Sequence, residues 1–181
     1  VDGDTLRDLA DGDIHFSTQV QLVKDKAHWP DLLLELTMRT ASGTRLRDAR
    51  YTDASGYWFT LSAGKEKKTG GKLITAFRPY ALLGFYSYQT HDPFQPQNDC
   101  FLYGAGLDLT TDCFIWSNQV GGYSGYLKNG DQLMVVRSIV RFHSKIADVV
   151  FRLQAGLHDF EYRSLHCGFV WNLANFRKRL V

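Results

Sequence analysis

Residues 147–173 read ADVVFRLQAGLHDFEYRSLHCGFVWNL, and this stretch decides the fold. Val149, Phe151, Leu153, Ala155 and Leu157 alternate with Arg152, Gln154, Gly156 and His158. Further on, Leu165, Cys167, Phe169, Trp171 and Leu173 alternate with Ser164, His166, Gly168 and Asn172. Successive side chains on a strand point to opposite faces, so period two predicts strands over 147–157 and 162–173. Each carries one apolar row and one polar row.

The same pattern extends toward the N-terminus. Strands are predicted over 14–23, 32–41, 57–64, 73–89, 100–109, 113–127 and 132–143, making nine in all. In the first, Ile14, Phe16, Thr18, Val20 and Leu22 oppose His15, Ser17, Gln19 and Gln21. In the second, Leu32, Leu34, Leu36 and Met38 oppose Glu35, Thr37 and Arg39. Pairing Gln21 with Glu35, Gln19 with Thr37 and Ser17 with Arg39 puts both apolar rows on one face. Pro79 lacks the ladder donor, so a bulge or an unpaired edge position is expected there. Asn129-Gly130 signals a tight hairpin, and the row mismatch across it predicts a bulge at Gly121-Gly122.

The polar rows hold Gly, Ser, Thr, Gln, His and Arg. All nine lysines (24, 26, 65, 67, 68, 72, 128, 145 and 178) are expected in turns or at chain ends. An ammonium group is costly on a strand face that meets lipid, whereas turns lie in water. The sequence therefore predicts an all-β, antiparallel, up-and-down transmembrane β-barrel. Connections after odd-numbered strands are short, and those after even-numbered strands are mostly longer, as in outer-membrane barrels. Trp29, Trp116 and Trp171 fall near the short-turn end. Tyr51, Tyr57, Trp58, Tyr86, Tyr88, Tyr123, Tyr126 and Tyr162 fall near the long-loop end, so two interfacial aromatic belts are expected.

Composition agrees. The 181 residues suit one domain, 1–181, and a net charge of +2 gives no pull toward nucleic acid. Mean hydropathy is −0.25, but barrel strands evade hydropathy because half their residues face the interior. Cys100, Cys113 and Cys167 have no metal-type spacing. Cys100 and Cys113 flank one predicted hairpin, so either a bridge between them or three free, small apolar side chains is expected.

On these residues the chain resembles a Gram-negative outer-membrane β-barrel protein, and looks like the C-terminal part of one. The alternation of Leu165, Cys167, Phe169, Trp171 and Leu173 is similar to the closing strand of that class. A basic extension, 174–181, departs from it. The resemblance implies a location, the cell outer membrane, and a partner, its lipid bilayer. Nine strands are odd, so N-terminal strands are expected to be missing from this stretch, with a parent barrel of about ten to twelve. No signal peptide is visible, which fits a mature chain or a fragment.

The inferred interior carries Arg39, Arg78, Arg137, Arg141 and Arg152 against Glu35 and Asp108, with Gln19, Gln154 and His166 on the same face. Two arrangements follow: a positively biased pore for small anionic solutes, or charges paired across a narrow, plugged barrel. Arg137, Arg141 and Arg152 are expected on neighbouring strands, facing one interior. His15, His158 and His166 share the polar face without metal-ligand spacing, and Asp53, Asp92, Asp99, Asp131 and Asp159 read as solvated loop acids. Ser164 and His166 are the nearest approach to a catalytic pair, but sequence identifies no third group. No catalytic, cofactor or metal residues are therefore assigned, and oligomeric state is left open. An outer-membrane enzyme acting on lipid, or a soluble lipocalin-like barrel with inward apolar rows, are the alternative readings.

Overall fold

The computed structural model describes residues 12–24, 26–43, 54–90, 92–128, 130–144 and 147–171. Among them lie ten strands: β1 (His15–Val23), β2 (Asp31–Arg39), β3 (Gly56–Gly64), β4 (Lys67–Lys68), β5 (Ala76–Gln89), β6 (Gln97–Thr110), β7 (Phe114–Gly125), β8 (Met134–Phe142), β9 (Ala147–His158) and β10 (Arg163–Trp171). They form one antiparallel meander in the order β1-β2-β3-β5-β6-β7-β8-β9-β10, with β4 beside β5. The predicted order and neighbour pairing hold throughout. Closure does not: among the described residues β1 and β10 are the two edges of an open sheet. Nine alternating strands leave both edges running the same way, so neither is the antiparallel partner of the other.

The tenth strand is a continuation. Gly64 pairs with Tyr80 and Lys67 with Phe77, so β3 and β4 share one register along β5. The break at Lys65–Glu66 lies opposite Pro79. Lys65 N–H donates to the Pro79 carbonyl at 3.2 Å, but proline returns no donor. β5 is an inner strand without a bulge here, so Pro79 meets neither expectation: it stays in register beside Leu107 and keeps one hydrogen bond to Lys65. Lys67 and Lys68 do lie in a strand, contrary to expectation, though in this two-residue stub beside a turn. Lys145 and Lys178 are outside the described residues.

Two registers differ from expectation. In the first hairpin Gln19 faces Glu35, Ser17 faces Thr37 and His15 faces Arg39, a slip of two residues from the expected pairs. A bulge between Gln21 and Val23 accompanies it, and the Gln21 amide donates to the Val23 and Leu32 carbonyls at 2.6 and 2.9 Å. A two-residue slip returns every side chain to its own face, so the rows are unaffected. Between β7 and β8 there is no bulge at Gly121-Gly122. Gly125 N–H donates to the Asp131 carbonyl, so the connection is the five-residue loop 126–130, whose odd length absorbs the mismatch. Lys128 and Gly130 take positive φ there, at 55° and 86°. The second bulge is between β8 and β9, at Met134/Val135.

The two faces differ sharply. One carries Phe16, Leu34, Leu36, Phe59, Leu83, Phe101, Leu107, Val136, Phe151, Leu153, Leu165 and Phe169 from edge to edge, all exposed; Leu36 is 49% and Phe151 43% accessible. The other carries Gln19, Thr37, Thr60, Gly84, Arg137 and Gln154. Six consecutive strands, β2 to β8 with β4 aside, line one cavity on this polar face, so the sheet curls around it. No second layer covers the apolar face among the described residues. The buried apolar side chains are few: Ala54, Ala76, Cys100 and Val135.

Candidate functional site

The concave cavity holds about 490 Å³ and spans β2 to β8. Its floor is apolar: Leu33, Leu82, Leu102, Leu133 and Val135 line it. These side chains sit in the polar row, where strict alternation gives them no place. For Leu33 and Leu82 the signal in the sequence is the run without alternation, Leu32-Leu33-Leu34 and Ala81-Leu82-Leu83, which the period-two reading passes over. Trp58 and Tyr123 stand toward the long-loop end, and Tyr80 toward the short-turn end. Glu35 lies on the β2 wall and Arg137 on the β8 wall.

Each expected interior residue has a definite place. Glu35 accepts from Gln19 Nε2 at 2.6 Å and from Thr37 Oγ1 at 3.2 Å, which engages both carboxylate oxygens. Arg78 and Asp108 face each other across β5 and β6. Arg137 Nε donates to Gln154 Oε1 at 2.6 Å. Ile139 faces Arg152, so Arg137 and Arg141, two residues to either side of Ile139, are its diagonal neighbours on the same face. The structure thus brings Arg137, Arg141, Arg152 and Gln154 together. Among the described residues none of the three arginines has a carboxylate within ion-pair range.

Arg39 is set apart at the long-loop rim. Its Nε lies 3.7 Å from Asp13 Oδ2 and donates to the Ala54 carbonyl at 2.7 Å, and its guanidinium sits 5.9 Å over the Tyr86 ring. Tyr86 stacks on Tyr88 at 4.9 Å and meets Trp58 and Tyr123 edge-on. This corrects the upper belt. Trp58, Tyr86, Tyr88 and Tyr123 belong to the concave row and pack on one another, while Tyr57 and Tyr126 are the exposed ones. Tyr51 is outside the described residues. Trp29, Trp116 and Trp171 are exposed near the other end.

On the long-loop side of that cluster, Asn98 Nδ2 donates to the Tyr88 hydroxyl at 3.2 Å and to Asp131 Oδ2 at 2.9 Å. Leu127 N–H donates to the same Asp131 oxygen. Asp131, read as a solvated loop acid, is instead 1% accessible and holds the β7–β8 loop. Asp92 caps Phe94 N–H, Asp99 accepts from Gln97, and Asp159 accepts Gln132 N–H. Asp53 is outside the described residues.

The cysteines are free, and no Cys100–Cys113 bridge forms. Cys100 is buried near one end of β6, and Cys113 is exposed in the turn beyond its other end. Ser164 Oγ and His166 Nε2 are 3.1 Å apart on β10, but the residue facing His166 is Arg152, which cannot orient an imidazole as a carboxylate would. His158 bonds the Gln132 carbonyl at 2.8 Å and His143 bonds Asp148 at 3.2 Å, both closing turns. In comparisons with known proteins, no family model matches the chain and no curated protein matches its sequence.

Proposed function

We propose that this chain is the wall of an integral outer-membrane β-barrel with a positively biased interior. One observation carries the reading: an exposed apolar face runs across all nine strands of the meander, interrupted mid-strand by Asn118 and Ser138 of β7 and β8. An apolar area of that extent in water drives association, whereas lipid tails are its natural solvent. The lysines at strand ends and the polar concave row support the same orientation. In a lipocalin-like barrel the apolar rows would face inward, the reverse of this arrangement. Because β1 and β10 run in the same direction, an all-antiparallel closure takes one or three further strands, for about ten or twelve in total.

The cysteines provide the test. Cys113 lies in a short turn, and Cys167 lies mid-strand on the apolar face of β10. In freeze–thawed liposomes a charged thiol reagent is expected to label Cys113 and spare Cys167, while an apolar maleimide labels both. Folded protein that stays dispersed without lipid or detergent, with Cys167 open to the charged reagent, overturns the reading. Bilayer conductance then separates the two kinds of barrel. Anion-selective current indicates a pore, and its absence indicates a structural or ligand-holding barrel.

A further inference from the structure

The concave cavity joins two unlike surfaces. Its floor of Leu82, Leu102, Leu133 and Val135 is apolar, and its β8 wall ends in the Arg137 guanidinium. A water-filled anion pathway has no use for a leucine floor. The cavity's volume of about 490 Å³, its apolar floor and the polar groups of Glu35, Thr60, Ser62, Gln119 and Arg137 along its walls suit a small-molecule site.

The charges define what fits. Gln154 holds Arg137 through Nε, which leaves the terminal amino groups of the guanidinium fork available. Arg141 and Arg152 lie on the same face and add positive potential without a carboxylate partner among the described residues. Glu35, on the opposite wall, is engaged by Gln19 and Thr37 and does not serve Arg137. Its charge also opposes a second negative group at the far end. We infer that the cavity binds an amphipathic monoanion, with its acidic head on Arg137 and its apolar body along Leu82, Leu102 and Val135. The inference deepens the barrel reading and rests on it only in treating the concave face as an interior.

Octanoate is the probe, with octyltrimethylammonium and inorganic phosphate as its cationic and headgroup-only counterparts. The protein is held in lipid nanodiscs, and the readout is Trp58 fluorescence, since Trp58 lines the cavity. A saturable change with octanoate is expected, absent in Trp58→Phe and weakened at least tenfold in Arg137→Gln. Leu102→Gln should weaken octanoate while leaving the weak phosphate response unchanged. Both variants are scored only after circular dichroism confirms the β-sheet. Where Arg137→Gln lowers strand content, Arg137→Lys serves in its place, with a smaller loss expected because the fork is gone. Equal binding of octanoate and octyltrimethylammonium, phosphate binding as tightly as octanoate, unaltered affinity in the Arg137 variant, or no saturable change each overturns the inference. Cys167 labelling on the same preparation reports the membrane reading separately. A protected Cys167 with no octanoate site removes this inference alone, and a labelled Cys167 with a normal octanoate site removes only the barrel.

Discussion

Arg39 shows how far a residue's role can depart from its row. Alternation puts it in one row with four other arginines, and its side chain does lie on the concave face. Its contacts are nonetheless those of a brace. It joins Asp13, the Ala54 carbonyl and the Tyr86 ring, with side-chain exposures of 9% for Arg39 and 2% for Asp13. Removing one partner of a nearly buried pair takes that interaction from the other charge in a low-dielectric site. Arg39→Ala is therefore expected to lower stability by about 3 kcal/mol, read as a fall in urea midpoint at constant slope. Arg39→Lys should lose part of this, because an ammonium keeps the charge but not the planar fork. A midpoint unchanged in Arg39→Ala would show that Asp13 and Ala54 are held by other means. Nothing in the sequence around Arg39 marks it out, since Asp13 and Ala54 reach it only through folding.

At the scale of elements, Pro79 has the clearest physical consequence. It sits opposite Lys65 in a pair that exchanges one hydrogen bond instead of two, and there the neighbouring strand parts into β3 and β4. Pro79→Val supplies the missing donor. The two pieces are expected to join into one strand, stabilised by about 0.5–1.5 kcal/mol. Hydrogen exchange is the check: the new amide at position 79 and that of Lys67 should gain protection. A rapidly exchanging amide at 79 would mean the break has another cause. The proline's effect is legible in sequence because its missing N–H is intrinsic. The first hairpin's register is not, because Gln19 with Glu35 and Ser17 with Thr37 are as plausible in alternation as the pairs two residues away.

For the whole molecule, the decisive property is the asymmetry between faces. If the apolar face meets lipid, a mid-strand arginine there carries the full cost of its charge, whereas one on the concave row does not. Leu36→Arg is expected to destabilise the protein folded in lipid vesicles by about 2–4 kcal/mol. Gln19→Arg, beside Glu35, should change it little, because the new cation gains a carboxylate neighbour. Equal effects of the two substitutions in urea titrations would remove the distinction between a lipid face and an interior face.

The chain itself determined the strands, their order as a meander and the face each side chain takes. These follow from period two and from short connections, both local properties that survive a two-residue slip or a change of loop length. Only the tertiary structure decided the curl that places Leu33 and Arg137, three strands and more apart, around one cavity. It also decided that Trp58, Tyr86, Tyr88 and Tyr123 pack inward, that Cys100 and Cys113 lie at opposite ends of a strand, and that Arg39 braces Asp13. Curvature accumulates from twist and bulges over many strands, and contacts across a curved sheet depend on that sum, which no window of alternating residues contains.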